Sequence, residues 1–335
     1  MEQTMNQATT PNQLGASWKG IAFRWETFLL AVFAFVFVMF AMASPYFLSV
    51  WNLSDATFNF TERALIALPM AMLIICREID LSVASTMALA SVAMGMIAEL
   101  GAGVPAVVVI GLFVGLLCGL FNGFVVTTFG IPSIVVTIGT MSLFRGITNG
   151  LMGNEVLNSY PAGFSYFGQG YVHWVFSFQF VLFLGAALLF YVLLHHTNFG
   201  RRTYAIGANP VAAEYSGIRV NRHKMILFAA VGLMAGLASV LLTSRLGSTR
   251  PAIAFGWELS IVTMVVLGGV NILGGSGSII GVVIAAFLMG IVTFGLGLLN
   301  VPGVVMTIII GAMLITVISL PMIAQRLKAM RSKRL

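Results

Sequence analysis

The chain has 335 residues, of which 59% are hydrophobic and only 8% charged, and its mean hydropathy is +1.01. A soluble fold of this size needs far more charged surface, so the composition points to an all-α polytopic membrane protein. The net charge of +7 would suit a nucleic-acid partner, but the basic residues sort by side of a membrane instead, so no nucleic acid is expected.

Residues 1–26 are polar and rich in Gln, Asn and Thr, which reads as a disordered cytoplasmic tail. The first apolar run continues as a full span, so no cleavable signal peptide is expected. Ten apolar runs follow at 27–44, 61–76, 82–100, 104–126, 131–150, 178–196, 225–244, 259–271, 277–296 and 304–321. Their lengths suit helices, and strand-like alternation is absent, which excludes a barrel. The runs 61–76 and 259–271 are short for crossing a bilayer. The expected organisation is a tail at 1–26, a transmembrane domain at 27–321 and a basic cytoplasmic tail at 322–335.

At the break between the second and third runs stands Arg77-Glu78-Ile79-Asp80-Leu81-Ser82. Asp80 suits the cap of a helix starting at Leu81 and lies within reach of Arg77. An acid at membrane depth also marks a substrate path or gate. Asn122, Thr137, Thr140 and Ser142 add polar groups to the spans, and Glu62, Arg63, Arg145 and Glu258 stand near span ends. Gly111, Gly115 and Gly119 give one helix a smooth face for close packing, and Gly232 with Gly236 repeat the spacing on a later one. Cys76 and Cys118 match no metal spacing and read as small packing residues.

The segment 151–177 carries Tyr160, Phe164, Tyr166, Phe167, Tyr171 and Trp174, which suits an interfacial aromatic belt or a docking rim at the outer face. Residues 197–224 form a polar, basic island. Within it Asn209 suits a helix cap, Pro210 the first turn and Gly217 the stop. The resulting helix of about seven residues is too short to persist alone and needs something to dock against.

Ten spans put both termini on one side. With that side cytoplasmic, thirteen of the 17 Lys and Arg residues lie inside, and only Arg63, Arg145, Arg245 and Arg250 lie outside or near the outer face. The positive-inside rule thereby places the 197–224 island in the cytoplasm. No Gly-x-x-x-x-Gly-Lys-Ser/Thr phosphate loop, metal-ligand cluster or nucleophile–base pair occurs, so the chain reads as a non-enzyme.

Several segments resemble one family. Glu78-Ile79-Asp80-Leu81-Ser82-Val83-Ala84-Ser85 looks like the Gly-Ile-Asp-Leu-Ser-Val-Gly-Ser run of sugar permeases from ATP-binding-cassette importers. Val136-Thr137-Ile138-Gly139-Thr140-Met141 followed by Arg145-Gly146 is similar to another element of that family. So is the loop containing Phe199-Gly200-Arg201, Ala205-Ile206-Gly207, Asn209, Ala212-Ala213, Ser216-Gly217-Ile218 and Lys224. Val266-Leu267-Gly268-Gly269 and Gly274-Gly275-Ser276-Gly277 follow in order, and the likeness covers most of 45–320. Arg77-Glu78 stands where two glycines are more usual.

The resemblance implies a pathway formed with a second permease chain, a cytoplasmic ATPase that binds ATP and Mg, and a periplasmic sugar-binding protein. No cofactor is implied for this chain. It also implies that Asn209, Pro210, Ala212, Ala213, Glu214, Ser216 and Gly217 form a coupling helix seated in the ATPase. Asp80, Ser82, Asn122, Thr137, Thr140 and Arg145 are the pathway or gate candidates. The text around Glu78–Ser85 and after Trp51 resembles rhamnose permeases, with pentose and signalling-furanone importers next. The rival readings are a secondary sugar transporter or facilitator and a membrane scaffold without transport.

Overall fold

The computed structural model describes residues 25–153, 155–313, 315–316 and 319. The expected N-terminal tail apart from Trp25 and Glu26, the basic tail 322–335 and the far part of the run 304–321 lie outside the described residues.

Each of the ten expected runs holds a helix. The order is α1 (Trp25–Ala43), α2 (Val50–Phe58), α3 (Thr61–Ile75), α4 (Val83–Glu99), α5 (Val104–Phe129) and α6 (Ser133–Met152). A short α7 (Tyr166–Gln169) and a two-stranded antiparallel ribbon, β1 (Tyr171–His173) with β2 (Phe176–Ser177), precede α8 (Phe178–His196). Then come α9 (Asn198–Ala208), α10 (Pro210–Tyr215), α11 (Val220–Leu246), α12 (Trp257–Leu267), α13 (Ile279–Leu298) and α14 (Gly303–Met313). Six of these, α1, α5, α6, α8, α11 and α13, are long and apolar enough to cross a bilayer. The pair α2–α3, bent by 52°, makes a seventh if it is one broken span.

The run at 259–271 ends early as a helix, at Leu267. The reason is the glycine pair behind it. Gly269 takes a left-handed φ of +86°, and a Cβ on Gly268 would stand 2.6 Å from the backbone of Val282, so the chain turns there against α13. Eleven residues rise about 16 Å, roughly half of a hydrocarbon core.

α3 is the axis of the bundle. From Ala64 to Ile75 every residue is buried, Pro69 included, and α8, α11, α12 and α13 pack around it. Lipid tails are as apolar as leucine, so such packing rests on close approach rather than on removal from water. The expected glycine faces meet each other across α5 and α11. A Cβ on Gly115 would lie 2.4 Å from the carbonyl oxygen of Gly232, and one on Gly232 would lie 2.3 Å from that of Gly115.

Candidate functional site

The basic island folds into two helices, not one. Thr197 caps α9 by accepting from the amides of Phe199 (3.1 Å) and Gly200 (3.4 Å). This helix was not anticipated because its apolar positions are few and its capping threonine stands at the edge of the island. α10 starts where expected: Asn209 Oδ1 accepts from the amide of Ala212 at 3.1 Å, and Pro210 opens the helix. Gly217, with φ +83°, ends it, and the amide of Ile218 donates back to the carbonyl of Ala213.

Of the candidate coupling residues, Ala212, Glu214, Ser216 and Gly217 are exposed, whereas Ala213 is only 5% exposed and packs inward. The outward face of α10 is instead marked by Val211 (62% exposed) and Tyr215 (90% exposed), which sequence reading passed over. Their i, i+4 spacing on a capped helix was the available signal.

The turn after α3 ties this pair of helices to the bundle. Arg77 has a left-handed φ of +67°, which explains why glycine suits the position and costs a non-glycine residue about 1–2 kcal/mol. That backbone directs the guanidinium away from Asp80. Its Nε donates to the carbonyl of Gly207 and its Nη2 to that of Ala208, both at 2.7 Å, so Arg77 satisfies the C-terminal carbonyls of α9. The expected Arg77–Asp80 pairing does not form. Glu78 pairs with Lys224 at the start of α11. Close by, the amide of Gly275 donates to the carbonyl of Ile75 (2.9 Å), and Tyr204 donates to the carbonyl of Gly277 (2.7 Å). Burial pushes the Tyr204 phenol above its usual pKa, keeping it a donor.

Two residues further on lies a polar cluster. α4 begins at Val83, not Leu81, with Ser82 as its cap. Asp80 Oδ1 accepts from the Ser82 amide (2.8 Å) and hydroxyl (2.7 Å), so the short Asp80–Ser82 link takes the bond that a longer helix would have used. Asn122 Nδ2 donates to Ser82 Oγ (2.8 Å) and Asp80 Oδ2 (3.2 Å), while its Oδ1 has no partner among the described residues. All three residues are buried.

Thr137 and Thr140 are also buried, and their hydroxyls are spent on main-chain carbonyls. Thr137 donates to Ser133 (2.8 Å) and Ile79 (3.3 Å), and Thr140 to Thr137 (3.3 Å). Arg145 donates to the carbonyls of Pro251 (2.9 Å), Ile253 (3.0 Å) and Ala84 (3.3 Å), stapling α6 to the first turn of α4. The structure therefore gathers Asp80, Ser82, Asn122 and Thr137 around the start of α4, with Arg145 about two turns further along α6 and bonded to Ala84. Among the described residues no group of three or more His, Cys, Asp or Glu could hold a metal ion.

A family profile described as branched-chain amino acid transport system / permease component matches residues 52–318. The autoinducer 2 import system permease protein LsrD of Salmonella paratyphi B is 34% identical over 307 residues, covering 88% of this chain and 91% of that protein. Its namesake in Escherichia coli (strain SMS-3-5) is 36% identical over 304 residues, covering 89% and 92%. No solved structure matches. The family and the relatives differ in cargo and agree on the permease role, which is a transport role without covalent chemistry. With these matches spanning most of the chain and a bundle rich in apolar spans, the chain belongs to the permease family of sugar-type ATP-binding-cassette importers, as a multi-pass inner-membrane protein.

Proposed function

We propose that this chain forms the membrane pathway of an importer in which a periplasmic binding protein delivers a small sugar-like molecule and a separate cytoplasmic ATPase, binding ATP and Mg, supplies the energy. The observation that carries the reading is α10. It is a six-residue helix, capped at both ends, that holds Tyr215 and Val211 out to solvent beside Glu214. A helix this short gains nothing from standing alone, and exposed apolar groups at i, i+4 suit a partner's cleft. Glu214 adds a charge for pairing with a basic group there. Closure of the ATPase pair would push on α10 and switch the pathway between its two openings.

The finer topology that fits the charges has ten membrane-inserted helices with both termini cytoplasmic, α12 reaching only partway in. A second permease chain, a copy or a close relative, would complete the pathway. α6 supports this: it is the least apolar of the six long spans and turns Gly139, Ser142, Gly146 and Asn149 outward. Polar groups facing lipid are costly, so such a face suits a protein neighbour or a water-filled path. Autoinducer 2, the cargo in the relatives' names, is the first candidate for transport, and rhamnose, from the sequence resemblance, is the second.

The test is vanadate-sensitive ATPase activity in proteoliposomes holding the permease with its ATPase and binding protein, each cargo offered separately. Glu214→Arg and Gly217→Pro are expected to abolish stimulation by loaded binding protein while the complex still assembles. Unchanged stimulation in both variants would overturn the coupling assignment. Failure to associate with any ATPase would favour a secondary transporter.

A further inference from the structure

We infer that Arg77 is the strut through which movement of the α9–α10 pair reaches the buried Asp80–Ser82–Asn122 cluster. The inference rests on the reading of α10 as the segment that meets the ATPase.

Three observations converge on this one side chain. First, Arg77 bonds α9 at the carbonyls of Gly207 and Ala208, immediately before the Asn209 cap of α10, whereas Cys76 of the same turn reaches α9 only further back, at the carbonyl of Thr203. A displacement of α10 along its own axis therefore pulls on both bonds. Second, the backbones around it meet closely, although Arg77 itself keeps an exposed edge. A Cβ on Gly207 would meet the carbonyl oxygen of Ile75 at 2.0 Å, and one on Gly274 would meet Arg77 Cγ at 2.4 Å, so α9, the turn and the 271–278 loop have no slack between them. Third, Arg77 holds a left-handed backbone that glycine would adopt freely. An unfavourable backbone conformation persists where its side chain is held in place by the surrounding structure.

From Arg77 the path inward is short and continuous. The amide of Ile79 donates to Ser133 Oγ (3.1 Å), its carbonyl accepts from Thr137, and Asp80 follows with its bonds to Ser82 and Asn122. Energetic coupling between separated sites travels through such chains of packed and hydrogen-bonded groups. Glu78, paired with Lys224, anchors the same turn to α11, so the turn moves as a lever between α9 and α11 and not as a free loop. Arg77 is a positioning residue in this scheme and touches no cargo.

The experiment is hydrogen–deuterium exchange on the permease co-purified with its ATPase in nanodiscs, comparing the resting complex with the complex trapped by Mg-ATP and vanadate. It needs no knowledge of the cargo. In the native chain, trapping should change exchange at 209–217 and at 79–84, the latter by about fivefold or more, the lower bound for coupled sites. In Arg77→Gly, which suits the backbone and so preserves folding, the change at 209–217 should persist and the change at 79–84 should vanish. Arg77→Lys, which keeps the charge without the fork, should fall between. A merely structural role would loosen both segments in the resting complex and leave the trapping response intact. No response at 209–217 in the native chain would defeat the coupling reading itself. A response at 79–84 that survives in Arg77→Gly, or is missing from the native chain while 209–217 responds, would defeat the strut alone.

Discussion

The antiparallel helices α3 and α11 are tied together at both ends, and the two ends use different chemistry. At one end Glu62 is fully buried and accepts from Arg245 Nε at 2.7 Å. Beside it a ladder of hydroxyls joins α4, α11 and the following loop: Ser91 bonds Thr243 (2.7 Å) and Thr249, which in turn meets Tyr160 (2.6 Å). At the other end the ties run through Arg77, Glu78 and Lys224 and through main-chain carbonyls of α9 and the 271–278 loop, with side chains that reach solvent. A hydroxyl ladder cut off from water has one good arrangement, because any broken bond strands a donor or acceptor. Ties at a wet edge can be remade through water. The bundle is therefore pinned at the end near α7 and jointed at the end that carries α10.

The largest effect expected from this contrast lies at Glu62. Arg245→Gln leaves Glu62, whose side chain is fully buried, without its partner charge, and loss of one member of a buried ion pair costs about 3 kcal/mol or more. Thermal unfolding in detergent should show a large drop in melting temperature. A loss below about 1 kcal/mol, the value for exposed pairs, would mean that the two ends are alike.

Next comes the ladder. Thr249→Val keeps the shape of the side chain while taking one partner from the Ser91 hydroxyl, which retains Thr243, and the Thr249 partner from the Tyr160 hydroxyl, and an unmade buried bond costs about 1–3 kcal/mol. The same melting measurement checks it. Recovery of stability in Thr249→Val combined with Tyr160→Phe would tie the cost to the stranded groups and not to altered packing.

How much of this was legible in the sequence follows from the range of each interaction. The α10 cap, its proline and its glycine stop were legible because each acts within a few residues of itself. The glycine faces of α5 and α11 were legible too, since their spacing of four is periodic along each helix. The hydroxyl ladder was not, because Ser91 and Thr249 stand 158 residues apart and single hydroxyls in apolar spans carry no periodic signal. Arg77 was noticed as a departure from glycine, yet its partner was misassigned. Proximity in sequence favoured Asp80, whereas a left-handed backbone at Arg77 aims the side chain at α9. Thr137 and Thr140 were legible as polar groups in a span, whereas the bond from Thr137 to the carbonyl of Ile79, 58 residues away, was not.

The smallest stability effect is expected at Lys224, and it separates pinning from jointing most sharply. Lys224→Gln removes the partner of Glu78, but that carboxylate stands at an edge where 11% of its side chain and 16% of the lysine remain accessible. Water reaches that edge, so the cost should stay below that of Arg245→Gln and fall toward the ~1 kcal/mol of solvent-exposed pairs. Function should suffer more than stability. With the lysine gone, the turn that carries Arg77 loses its anchor on α11, and a lever without a fulcrum moves with α9 but no longer turns Asp80. ATP hydrolysis should then continue while cargo moved per ATP falls. An equal fall in both would make the pair a simple brace, and a melting temperature lowered as far as in Arg245→Gln would show that this end is pinned as firmly as the other.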